Sequence, residues 1–86
     1  MAKTTTADLS RWFDHGIEHG ATHMVVVCDQ LKFEDFPLYV MPGEDVHAIV
    51  QREKDKTMQH VMEVYALHLD KVDQLAEYRA FHYESP

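Results

Sequence analysis

The chain has 86 residues, one tenth aromatic and 45% hydrophobic, with fifteen acids against eight bases for a formal charge of −7. That length supports one core and one domain, and that apolar share is too high for a disordered chain. The negative charge argues against nucleic acid and against anionic membrane surfaces, both of which attract Lys- and Arg-rich proteins.

The opening stretch MAKTTTADLS has no apolar signal core, and the longest unbroken apolar run, Met24 to Cys28, is far short of the roughly 20 residues that span a bilayer. A soluble cytoplasmic protein is the expectation. Cys28 is the single cysteine, so no internal disulfide can form, and its place within an apolar run predicts an inert, covered thiol.

Thr5 with Asp8 three residues later has the spacing of a capping box. Leu9, Trp12, Phe13, Gly16 and Ile17 then recur with helical period, which predicts an amphipathic helix ending near Gly20. Gly16 lies on its apolar side, where a missing side chain permits close approach to a sheet, and Gly20 suits a left-handed residue just past the helix end.

The following THMVVVCD is a β-branched, continuously apolar strand, expected at the centre of a sheet and covered on both faces. QLKFED is the connection, and Phe36 to Met41 the second strand. Pro37, which cannot donate to a ladder, suits a sheet edge or a strand start, the edge being adopted here, and the short link makes the pair antiparallel.

Pro42 and Gly43 break the second strand. Glu44 and Asp45 then precede Val46, Ile49 and Val50, with Arg52, Lys54 and Lys56 at the far end, a charge order matched to the dipole of a second helix. Residues 58–69 satisfy both periods. Met58, Val61, Met62, Tyr65 and Leu69 suit a helix, while alternate residues from Val61 to Leu69 suit a strand. A strand from about His60 to His68 is preferred to one long C-terminal helix, because two strands alone are marginal in water. Asp70 and Asp73 start a third helix whose one side carries Val72, Leu75, Ala76 and Arg79, and Tyr83 to Pro86 form a frayed tail. The sum is a small two-layer α+β domain, α-β-β-α-β-α, whose three-stranded sheet has the order 2-1-3.

Three groups of residues carry candidate chemistry. His15, His19 and His23 are spaced four apart in DHGIEHGATH. The first two share a helix face and can present imidazoles to one zinc ion, but the expected helix end at Gly20 leaves the direction of His23 open, and no HExxH or second cysteine supports a known zinc signature. His19 also suits the helix end, and both histidines suit the border of the apolar stripe, without any metal. Asp29, Glu34 and Asp35 bracket the connection, where carboxylates can act as acid, base or cation ligand but also commonly just solvate a turn. No nucleophile elbow, phosphate-binding glycine loop or calcium loop accompanies them.

Trp12, Phe33 and Tyr39 belong to an aromatic set that looks large for one small core. Surplus aromatic surface marks a partner interface, and a sheet with helices on only one face would be covered by a second copy. These patterns are best accounted for by a noncatalytic binding module. It would self-associate as a homodimer and recognise a protein or small ligand through Trp12, Asp29, Phe33, Glu34, Asp35 and Tyr39, without a cofactor. Small accessory inhibitors of phages and mobile elements have this size and charge. The alternatives are a zinc-binding protein using His15, His19 and His23, and a small enzyme using the Asp29, Glu34 and Asp35 loop.

Overall fold

The computed structural model describes residues 4–86; residues 1–3, which begin the stretch read for a signal core, lie outside it. The elements are α1 (Thr6–Glu18), β1 (His23–Asp29), β2 (Glu34–Val40), α2 (Val46–Lys54), β3 (Gln59–Ala66) and α3 (Lys71–Ala76). β1 is central, with β2 and β3 antiparallel on either side in the order 2-1-3. Element order, strand order and the edge position of Pro37 agree with the sequence reading.

Alternate residues of β1 enter opposite cores. Met24 and Val26 join Phe13 of α1, Tyr65 and Leu67 on one face, while Val25 and Val27 join Val46 and Val50 of α2 and Val64 on the other. Leu75 of α3 packs on the first of these clusters. Helices therefore flank both faces, and α2 fills the face for which a second copy was expected. A bulge in the β1–β3 ladder sets Glu63 against Val26 and Val61 against Val27, leaving Met62 unmatched.

The caps follow the local chemistry. The Thr5 hydroxyl accepts from Asp8 N while the Asp8 carboxylate accepts from Thr5 N, and Gly20 at φ 75° ends the first helical segment. Asp45 accepts from His47 N and Ala48 N at the start of α2, and Asp70 accepts from Asp73 N at the start of α3.

Several boundaries differ from expectation, among them β3, which ends at Ala66 rather than near His68. β2 begins at Glu34 rather than Phe36, because the turn is tight enough for Glu34 and Asp35 to pair with Asp29 and Cys28. α3 stops at Ala76, before Arg79, and presents Gln74 inward, while Val72 is exposed. Gln74 satisfies both backbone groups of Ala66, donating from Nε2 to its carbonyl at 2.9 Å and accepting from its N–H at 2.8 Å. The tail is held rather than frayed. Val64 N donates to Ala80 O and His82 N donates to Val64 O, so residues 80–82 cap the edge of β3. Tyr83 then packs on the α2-side core and stacks on His47, with ring centroids 4.6 Å apart. An open strand edge offers the donors and acceptors that draw the chain out of the helix.

Candidate functional site

The β1–β2 turn, residues 30–33, is built from the inside by Asp29. Its Oδ1 accepts from Leu31 N at 2.9 Å and from Lys32 N at 3.3 Å, closing an Asx turn. Gln30 N donates to Met58 O, tying the turn to the connection before β3. Phe33 takes φ 55°, a left-handed conformation uncommon for a bulky side chain.

These constraints turn apolar groups outward: Leu31 is 72% exposed, Phe33 63% and Met58 43%. Asp29 and Glu34 face each other in register at the base of the turn, and Asp35 faces Cys28. Burial, with Asp35 beside it, pushes the Cys28 thiol above its ordinary range. The site is an apolar tip on an acidic collar. Asp29 serves the turn, and the Cys28 thiol is held away from the reactive thiolate form.

Trp12 and Tyr39 are brought together, but elsewhere. The Tyr39 hydroxyl donates to Trp12 O at 2.7 Å, and both side chains pack half-buried against the α1-side core. Burial raises the Tyr39 hydroxyl above the usual phenol range. Tyr39 is five residues along β2 from Glu34, which is about 17 Å at about 3.4 Å per residue. The structure thus divides the six candidate binding residues between the tip and the seat of α1.

The three histidines also separate. His15 and His19 are exposed at the end of α1, ring centroids 4.1 Å apart, and His19 Nδ1 is 2.9 Å from His15 O. His23, only 3% exposed, has Nε2 2.8 Å from Glu84 O and Nδ1 2.9 Å from the Thr22 hydroxyl. A carbonyl oxygen can only accept, so Nε2 of His23 carries a proton donated to the tail. Among the described residues, no three His, Cys, Asp or Glu side chains are grouped to hold one metal ion. His15 and His19 are the pair able to share one.

Leu31 and Met58 were not singled out in the sequence. Leu31 was visible as an apolar residue inside a polar turn, whereas Met58 joins it only through the contact of two connections. No helix of the described residues is long and apolar enough to cross a membrane. Comparison with known protein families, curated proteins and solved structures finds no match to the chain.

Proposed function

We propose that the chain is a small acidic binding module of the cytoplasm, noncatalytic, that self-associates and recognises a protein partner through the β1–β2 tip. The observation that carries this reading is the outward projection of Leu31 and Phe33 from a turn locked by Asp29. A small ligand calls for a concave site, whereas a projecting apolar tip fills a pocket on another protein. Asp29, Glu34 and Asp35 suit a pocket with a basic rim. An accessory inhibitor of the phage or mobile-element kind would act in this way, by occupying a pocket its target needs. A reducing compartment suits the free thiol of Cys28. Exposed Val72 and Tyr78 add to the apolar surface available for self-association.

Photocrosslinking in cells tests the docking surface. A photoreactive phenylalanine at position 33 should give a discrete adduct that the same group at exposed Gln51 of α2 does not. The combined Leu31→Ser and Phe33→Ser variant should bind the captured partner about 2 kcal/mol more weakly, roughly 30-fold, with the unfolding midpoint preserved. Equal labelling from both positions, or undiminished binding by the double variant, would remove the tip from the reading.

A further inference from the structure

We propose that His15 and His19 form half of a zinc site that a second copy of this chain completes. Zinc prefers four ligands in a tetrahedron, and two imidazoles at i and i+4 on a helix supply two of them. Both rings are exposed, with centroids 4.1 Å apart and planes inclined by 38°. One nitrogen of His19 is already committed. Its Nδ1 donates to His15 O at 2.9 Å, which leaves the lone pair on Nε2, the nitrogen farther from the backbone. The His15 ring rests near Tyr39, at 5.8 Å between centroids, and Tyr39 itself clamps α1 through Trp12 O. His15 therefore rests beside a side chain that is itself tied to α1, which lowers the ordering cost of binding.

The neighbouring side chains do not complete the site within one chain. Asp14 is committed to Lys71, with both carboxylate oxygens 2.9 Å from Nζ, and His23 is buried against the tail. A twofold arrangement brings two His15/His19 pairs to one ion and closes the tetrahedron. Charge favours metal as the link. Each chain carries a formal −7, so two copies repel, and a dication at their contact offsets that repulsion. The pair is on the Tyr39 side of the molecule, leaving the β1–β2 tip free for its own partner.

This inference rests on the self-association in the proposed function and is independent of the docking tip. The test uses the full chain, stripped with EDTA, dialysed and titrated with zinc chloride while light scattering reports mass. The mass should double from 10.0 kDa, with the change complete at one zinc per two chains and reversed by EDTA. His15→Ala and His19→Ala should each abolish the doubling while leaving the circular dichroism spectrum unchanged, and His60→Ala, at an exposed position on β3, should retain it. A constant mass in zinc, one zinc bound per monomer, or doubling that survives the His15→Ala/His19→Ala variant would each overturn the shared site. A dimer already present in EDTA would uphold self-association and overturn its dependence on zinc.

Discussion

At Gly16, a Cβ would lie 2.7 Å from both Leu67 Cδ1 and Tyr39 Cε1, closer than real contacts allow. The helix pattern placed this glycine on the apolar side, and the structure uses the missing side chain to bring α1 down onto the sheet. Gly16→Ala gains roughly 1 kcal/mol in helix propensity but loses more to displacement of Tyr39 and Leu67, for a net loss of about 1–2 kcal/mol. Urea unfolding checks the sign, and a more stable variant would show that the two side chains yield freely. Cys28 makes a second test at this scale. Because burial and Asp35 hold its thiol above the ordinary range, iodoacetamide should modify it more slowly at pH 8 than a free cysteine, and Asp35→Asn should speed the reaction. Glu53 was not legible in the same way. It is 1% exposed on α2, with its carboxylate held by Arg52 at 3.2 Å and Lys56 at 3.0 Å, so two cations that the sequence assigned to a helix dipole also neutralise a buried acid.

The C-terminal segment shows how elements compete for backbone. Residues 77–82 leave the helical pattern for the edge of β3, and His82 strengthens the new path by pairing with Glu77 at 2.9 Å. That hydrogen bond, with Glu84 also near, raises the His82 pKa above its ordinary value. A raised folded-state value means that the stabilisation is fully present below about pH 6.5, the unfolded value, and is lost as pH rises through the folded one. The pair is partly exposed, so the effect should stay under about 1 kcal/mol. Protection factors for the His82 and Val64 amides should therefore be higher at pH 5.5 than at pH 8, with the difference abolished in His82→Gln. Identical protection at both pH values in the unsubstituted chain would assign the hold on the tail to its other contacts. Residues 59–66 illustrate the same rule. Their sequence fits either period, and the unpaired edge of β1 decides for strand.

Over the whole molecule, charge governs association. Eight bases against fifteen acids give −7, and protonating the seven histidines brings the sum to zero while the carboxylates stay ionised. Mutual repulsion is thus weakest near the isoelectric point of about 5.3, where solubility should pass through a minimum and recover above about pH 7. Turbidity measured from pH 8 to pH 5 at constant ionic strength checks this. A flat trace would show that net charge does not govern association over this range.

Where a feature depends on residues within one turn or strand of each other, the sequence alone determined it. The capping box at Thr5 and Asp8, the apolar strand MVVVC, the edge-restricted Pro37 and the helix end at Gly20 are set by local periods and local hydrogen bonds. From these the element order and the 2-1-3 sheet follow. Tertiary structure decided whatever depends on partners distant in the chain. Gln74 turns inward because it can pair with both backbone groups of Ala66, the tail stays down because Val64, His23 and His47 receive it, and Met58 reaches the Leu31–Phe33 turn because two connections meet. Tyr39 and His23 show the same limit. Their ring chemistry suits a ligand, but the groups satisfying it, Trp12 O and Glu84 O, become neighbours only once the chain has folded.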